Sequence, residues 1–281
     1  MGSFGAAARR LRVSPQSATR AVAYLESELG VRLLNRTTRS VRLTEEGARF
    51  LAACRQVLAD LRAAEDSLKG TLPEPQGSLV VSAPVVFGRI HVVPIVTAVL
   101  LRNPRLSVRL ALIDRTTELV EEGIDVAVRI GELPDSSVHA VQIGTIQYVI
   151  VASPGYLQRH GAPAAPTDLQ RHELIMFTAA STCDEWLFGR GGKRGVRVRP
   201  RMSVNTADAA ISAAEAGFGI ARVLSYQVTA AVGAGRLVRI LDSEAPPSVP
   251  VSLIFQTGRD RSPNVRTFID QSKEYFRSHP L

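Results

Sequence analysis

Apolar residues recur through the first thirty positions at the three- and four-residue spacing of a helix. Phe4, Ala7, Ala8 and Leu11 form one such set behind Ser3, a residue suited to an N-cap. A second set, Ala18, Val22, Leu25 and Leu29, follows Ser14 and stops at Gly30. Pro15 stands where a missing N–H costs a helix nothing. The spacing therefore predicts two amphipathic helices joined by a tight turn, the second over residues 15–29, with Ala18, Val22, Leu25 and Leu29 as its buried stripe. Alternation then replaces the helical period, and residues 31–35 and 41–43 read as two strands around a turn at 36–40.

After Thr44 the helical period returns. No breaker interrupts residues 45–69, a rod of roughly 37 Å that opens on two glutamates. Along it Leu51, Cys54, Leu58, Leu61, Glu65 and Leu68 alternate spacings of three and four, a heptad seam with one polar interruption. The run ends at Gly70 in a Pro-rich hinge, residues 71–77, so it stands between domains and its seam calls for a second copy of itself.

From Ser78 strands and helices alternate. Strands are expected at 79–82, 106–112 and 125–130, with a helix at about 88–101 and a short one ending at Gly123. A second set places strands at 148–152 and 202–204 and helices at 154–160 and 207–216. Continuous apolar runs of this kind indicate parallel strands covered on both faces, and two such units suggest two lobes with a cleft between them.

Charge sharpens this picture at one end only. The 281 residues carry a formal net charge of +8 and are 45% hydrophobic, enough to bury a core. Residues 1–44 hold eight arginines against Glu26 and Glu28, so the basic excess is concentrated where the paired helices lie, as a polyanion partner requires. The exposed start of the second helix offers Ser14, Pro15, Gln16, Ser17, Thr19 and Arg20. Arginine can bind guanine bidentately and glutamine adenine, while serine and threonine allow close approach to phosphate. The turn Arg36, Thr37, Thr38, Arg39 and Ser40 supplies a wing for phosphates or the minor groove. A helical bundle with a solvated arginine face would share the composition. The ordered succession of helix, turn, capped helix, glycine stop and basic hairpin favours double-stranded DNA as the partner.

Ligands of open α/β sheets sit at the carboxyl ends of the strands, beside helix N-termini. That rule selects Ser82, Ala83, Pro84, Val85 and Phe87, then residues 114–117 with Thr116, then Arg129 and the residues up to Ser137. In the second lobe it selects Phe177, Thr178 and residues 203–206, including Asn205 and Thr206. Free N–H groups together with Arg129 and Phe87 suit a small, partly apolar organic anion. Alternatively, Ser82 serves as a core or cap hydroxyl and Arg129 pairs with Glu132 or Asp135.

Other chemistry is not indicated. Cys54 and Cys183 are expected as thiols, and the histidines at 91, 139, 160, 172 and 279 share no metal-ligand spacing. Residues 189–195 have a P-loop flavour, yet Arg194 stands where Ser or Thr is required, so a hairpin turn is the better reading. No nucleophile motif occurs, and neither an enzyme nor a cofactor is expected. The opening residues do not form a secretory signal. The apolar stretch 90–101, broken by His91 and Pro94, is short of the roughly 20 residues a bilayer span needs. A cytoplasmic protein without a membrane partner is expected.

The stretch GSFGAAARRLRVSPQSATRAVAYLESELGVRLLNRTTRSVRLTEEG resembles the DNA-binding domain of bacterial LysR-type transcriptional regulators. EEGIDVAVRIGEL, VASPGYLQRHG and AEAGFGIARVLSYQV resemble their effector-binding domain, whose architecture is shared with periplasmic solute-binding proteins. The resemblance implies an α/β chain with a winged helix-turn-helix at 1–44, a linker helix at 45–70 and a two-lobed effector domain at 78–281. Lobe 1 would cover about 78–143 and 249–281 and lobe 2 about 144–248, with crossings near 141–147 and 243–249 and a terminal helix at 264–277 returning to lobe 1. It implies base and phosphate contacts from Ser14, Pro15, Gln16, Ser17, Thr19 and Arg20, and backbone contacts from Arg36, Thr37, Thr38 and Arg39. Homodimers or homotetramers joined through the linker helix follow, with RNA polymerase as a further partner. Family members normally carry one more helix ahead of the Gly-Ser-Phe segment, and weak DNA binding is expected of a chain that starts there. The alternative is a two-lobed cleft protein or enzyme without DNA-binding competence.

Overall fold

The computed structural model describes residues 8, 13–36, 41–68, 74–133, 138–178, 185–189, 192, 194–245 and 248–281. The chain divides into two units, Met1–Pro73 and Glu74–Leu281.

In the first unit, Ser14 holds an extended conformation and its hydroxyl accepts the Ser17 N–H, so helix α1 (Pro15–Leu29) starts where the cap can serve it; Gly30, at φ 67°, ends it in the left-handed region. Strand β1 (Leu34–Arg36) pairs antiparallel with β2 (Val41–Leu43), Leu34 opposite Leu43. Helix α2 (Glu45–Leu68) follows, with Glu45 and Glu46 complementing its dipole.

Two side chains tie these elements together. The Glu26 carboxylate of α1 accepts the N–H groups of Leu33 and Leu34 at 2.9 and 3.0 Å. The Thr44 hydroxyl accepts the Gly47 N–H at 2.9 Å and donates to the Arg32 carbonyl at 2.7 Å. Gly47 lies so close to the Leu33 backbone that no Cβ fits.

The expected buried stripe of α1 is shallower than its period suggested: Ala18, Val22 and Leu25 are half-buried and Leu29 is 41% exposed. Ala8, from the helix expected before it, is buried. The other positions of that helix, including Phe4, Ala7 and Leu11, lie outside the described residues, as does the hairpin tip at 37–40.

The second unit runs β3 (Gly77–Ala83), α3 (Val85–Arg102), β4 (Leu106–Leu112), β5 (Val126–Ile130), β6 (Val138–Ala152), α4 (Pro154–His160) and β7 (Leu174–Phe177). It continues through β8 (Glu185–Phe188), β9 (Arg194–Arg197), β10 (Met202–Val204), α5 (Ala207–Glu215), β11 (Ile220–Leu224), α6 (Ser225–Gly233), β12 (Val238–Ile240), β13 (Ser248–Gln256) and α7 (Pro263–Ser278). Among the described residues, strands β8 and β9 pair antiparallel with each other alone.

Among the described residues, the remaining strands of this unit form one sheet in the order β10-β7-β11-β6-β13-β5-β3-β4, with β12 added on β6. The sheet is mixed rather than parallel throughout: β3 runs parallel to β4 and β5, whereas β13 runs antiparallel to β5 and β6. The crossing expected near 141–147 is itself strand. The first part of the fifteen-residue β6 pairs with β13 and its end with β11 and β12, so one continuous ladder carries the chain between lobes. A register shift between Val251 and Ser252 interrupts it.

Helix α7 returns to lobe 1, where Val265, Phe268, Ile269 and Phe276 pack with Leu79, Val81 and Ala83. Lobe 2 has an apolar cluster on each face of its sheet, one around Ile175, Ala210 and Val223 and one around Leu174, Trp186 and Ile220.

Two helix expectations are corrected. Residues before Gly123 form turns, held by Arg115 on Glu122 and by Arg129 on Thr117 rather than by a helical ladder. Helix α3 begins at Val85, earlier than expected, and neither His91 nor Pro94 breaks it. A π-helical stretch, Gly88–Val92, widens the turn against which the proline ring would otherwise clash. By length and composition α3 could cross a membrane. Here Phe87, Val92, Ile95, Val96 and Val99 are core residues of lobe 1.

Candidate nucleic-acid interface and effector cleft

The N-terminal end of α1 gathers the residues expected to meet DNA. Ser14, Pro15, Gln16, Ser17 and Arg20 are exposed and Thr19 is half-buried. Their roles differ. The Ser14 and Ser17 hydroxyls lie 2.9 Å apart at the cap, and Thr19 donates to the Pro15 carbonyl at 2.9 Å, so these three shape the helix start. Gln16 and Arg20, with Pro15 and Thr19, line an open depression of about 460 Å³. No acid stands in the first turn, which leaves the positive end of the helix dipole free for phosphate. Of the wing, the Arg36 backbone belongs to β1; its side chain and Thr37, Thr38 and Arg39 lie outside the described residues.

On α2, Leu51 and Cys54 are half-buried, while Val57, Leu58 and Leu61 are 67%, 54% and 55% exposed. The side chain of Leu68, the last seam position, lies outside the described residues.

In the second unit the expected cleft residues separate into two groups. Ala83 and Phe87 are core residues of lobe 1, and the Phe87 ring lies 5.9 Å from that of Phe276. Ser82, 1% exposed, ends β3 with a hydroxyl that has no hydrogen-bond partner among the described residues. Pro84 and Val85 are half-buried at the start of α3, and Thr116 is exposed. In lobe 2, the Thr178 hydroxyl donates to the Val204 carbonyl at 3.1 Å, the Thr206 hydroxyl caps α5, and Asn205 is exposed.

The two features that suggested an anionic ligand are engaged within the domain. The Val85 N–H donates to Asp114 Oδ1 at 2.9 Å, so a carboxylate of the chain already occupies the start of α3. The Arg129 guanidinium donates to the carbonyl and hydroxyl of Thr117, on the flank where Glu118 and Glu122 act on it.

The lobes meet through residues the sequence reading did not select. Val86 and Ile90 of α3 pack among Ile175, Phe177, Ala207 and Ala210 of lobe 2. From α6, Tyr226 sets its ring edge-on to Phe87 at 5.5 Å and 5.9 Å from His91. The strand-end rule, applied to β11 as it was to β3, would have found Tyr226. Burial raises the Tyr226 hydroxyl far above the ordinary tyrosine value, and the negative charges of Asp114 and Asp208 add to the rise. Burial also raises Asp114 against the opposing Val85 N–H, with Asp208 reinforcing the rise.

His91 has neither ring nitrogen paired among the described residues and is ringed by Phe87, Tyr226, Tyr275 and Phe276. Burial, and then the neighbouring His279, lowers it below the ordinary histidine value. A lowered histidine binds fewer protons folded than unfolded, so stability falls as pH drops through the ordinary value near 6.5 and on towards the lowered one. His172, lowered for the same first reason, adds to that slope. His91→Phe is expected to flatten the fall between about pH 6.5 and 5, measured as the thermal midpoint of the second unit; an unchanged slope would leave His172 and the carboxylates as its source.

Residues 1–48 match the bacterial regulatory helix-turn-helix protein, lysR family, and residues 73–277 match the LysR substrate binding domain. The chain is 33% identical over 280 residues to the HTH-type transcriptional regulator PtxR of Pseudomonas aeruginosa, covering 99% of this chain and 90% of that protein. It is 34% identical over 241 residues to the probable HTH-type transcriptional regulator LtrA of Klebsiella pneumoniae, covering 85% and 78%. Its fold resembles that of CrgA, a LysR-type transcriptional regulator from Neisseria meningitidis, with a TM-score of 0.64, 27% identity and coverage of 97% and 93%. The full-length Vibrio cholerae virulence activator AphB is similar at a TM-score of 0.63, 26% identity and coverage of 98% and 94%. With both of its units matched in this way, the chain belongs to the LysR family of transcriptional regulators, proteins that join a helix-turn-helix DNA-binding domain to an effector-binding domain.

Proposed function

We propose that this regulator reads its operator with Gln16 and Arg20 in the major groove, while Ser14, Pro15, Ser17 and Thr19 set the helix start against a phosphate. Arg36, Thr37, Thr38 and Arg39 hold the backbone beside it. The observation that supports this most is the exposed, acid-free first turn of α1, anchored to the wing through Glu26. Arg20→Ala is expected to cost about 1–3 kcal/mol of operator affinity and to relax sequence preference at one base pair. Binding isotherms on the operator and on single-base variants check this; a uniform loss across all sequences would assign Arg20 to a phosphate instead.

Two copies associate along Leu51, Cys54, Leu58, Leu61 and Leu68, as homodimers that pair further into tetramers, and so present two recognition helices to two half-sites. A small-molecule effector binds between the lobes, near Ser82, Pro84, Val85, Thr178, Asn205 and Thr206. Its differential affinity for open and closed lobes sets how the paired helices bend or space the DNA. The protein acts in the cytoplasm, passes its output to RNA polymerase, and catalyses no reaction.

A further inference from the structure

The chain enters the effector domain through residues 74–78, and a side chain from far along the sequence holds it there. Asn264, next to Pro263 at the start of α7, is 9% exposed. Its Oδ1 accepts the Gln76 N–H at 3.0 Å, and its Nδ2 donates to the carbonyls of Gln76 at 2.9 Å and Ser78 at 3.5 Å. The amide thus pairs with both backbone groups of residue 76, as a neighbouring strand would. Aspartate, of the same size, would set a carboxylate against two carbonyls. The asparagine is turned to the hinge rather than to its own helix, whose N-cap, Ser262, makes no capping bond.

The other bonds to this segment do less. The Gly77 N–H donates to the Arg105 carbonyl at 2.9 Å and the Gly77 carbonyl accepts the Ser107 hydroxyl at 2.7 Å, which fastens Gly77 to the strand it already pairs with. Arg105 also pairs with Glu74, but both side chains are exposed and a pair of that kind adds little. Among the described residues after Pro73, Gln76 is therefore the first that a buried side chain holds. Asn264 is itself fixed, because Val265, Phe268 and Ile269 seat α7 in the core of lobe 1.

We propose that Asn264 is a positioning residue for operator binding: it clamps the hinge at Gln76 and so fixes the direction in which the chain leaves the effector domain towards the linker helix. The proposal rests on the reading above that dimers joined along α2 pair further into tetramers. With α2 occupied within each dimer, contacts between dimers fall to the effector domains, and every path from one DNA-bound pair to the other runs through these hinges. Clamped hinges hold two DNA sites at one separation. Loose ones lower the effective concentration of the second pair at its site and accept many separations.

The test uses the full chain and operator duplexes that carry one dimer site, or two at a series of separations. In Asn264→Ala and in Asn264→Asp, hydrogen exchange at the Gln76 amide is expected to rise about tenfold or more while the amides of Val81 and Val126 stay protected. Affinity for one dimer site should be unchanged, and the preference for one separation over the others should fall about tenfold or more. Aspartate keeps the size of the side chain, so the test stands if the alanine variant unfolds lobe 1. A Gln76 amide that exchanges as in the wild type, or a separation preference that survives its release, overturns the proposal. Equal loss at one dimer site and at two makes Asn264 a folding residue and overturns it as well. A wild-type chain that binds two sites without any preference removes the tetramer reading and the proposal together.

Discussion

Gly47→Ala is expected to abolish specific DNA binding while leaving the thermal transition of the effector domain where it was. A Cβ at this position would fall on the Leu33 carbonyl and lie 2.8 and 3.0 Å from the Leu33 carbonyl carbon and Cα, all of it backbone that cannot rotate away. Forcing it in costs about 1–3 kcal/mol. The segment bearing Leu33, just ahead of β1, would have to lift, and with it would go the bonds Thr44 makes to Arg32 and Gly47, each worth about 1 kcal/mol. Glu26 holds α1 through the N–H groups of Leu33 and Leu34, so the displacement reaches that helix without touching any residue proposed to contact DNA. Operator titration beside calorimetry of the same variant separates the outcomes. Retained operator affinity would mean that the wing tolerates the shift.

The second large effect concerns the seam on α2. Leu58 and Leu61 are more than half exposed and one helical turn apart, so a paired Leu58→Asp, Leu61→Asp variant places two charges where the proposed partner copy packs. Sedimentation is expected to show a smaller assembly. Operator affinity is expected to fall by roughly 10²–10⁴, because the second half-site contact is no longer held at high effective concentration. Binding to a single half-site should change little. An unchanged assembly would assign oligomerisation to surfaces other than this helix.

Local chemistry was legible in the sequence wherever a cap, a stop or a strict period defined an element. Ser14, Pro15 and Gly30 delimit α1 as read, β4 and α4 fall on the residues expected for them, and α2 begins at Glu45 as expected. Long-range features were not. The depth of burial along α1 depends on what packs against it, which the 3.6-residue period does not encode. The start of α3 was placed at about Gly88 rather than Val85 because no side-chain cap marks it: Pro84 stands at the N-cap without a capping hydrogen bond. The candidate cleft was found from its strand ends, but the chemistry assigned to it assumed that a helix N-terminus and an arginine stand free. Asp114 and Thr117, distant in sequence from Val85 and Arg129, hold those groups. Tyr226 was not selected because an aromatic ring at helical spacing reads as core, and His91 was weighed only for metal-ligand spacing and as an interruption of an apolar stretch.

The ladder formed by β6 and β13 also limits how this protein can respond. Two strands paired from Ser248 opposite Gln147 to Gln256 opposite Val138, with one register shift at Val251/Ser252, do not slide past one another without breaking that pairing. They can change twist, and the shift at Val251/Ser252 is the place where added twist costs least. The domain is therefore a torsion spring rather than a hinge on loose cords. An effector bound between the lobes as proposed would store its work as rotation of one end of the sheet against the other.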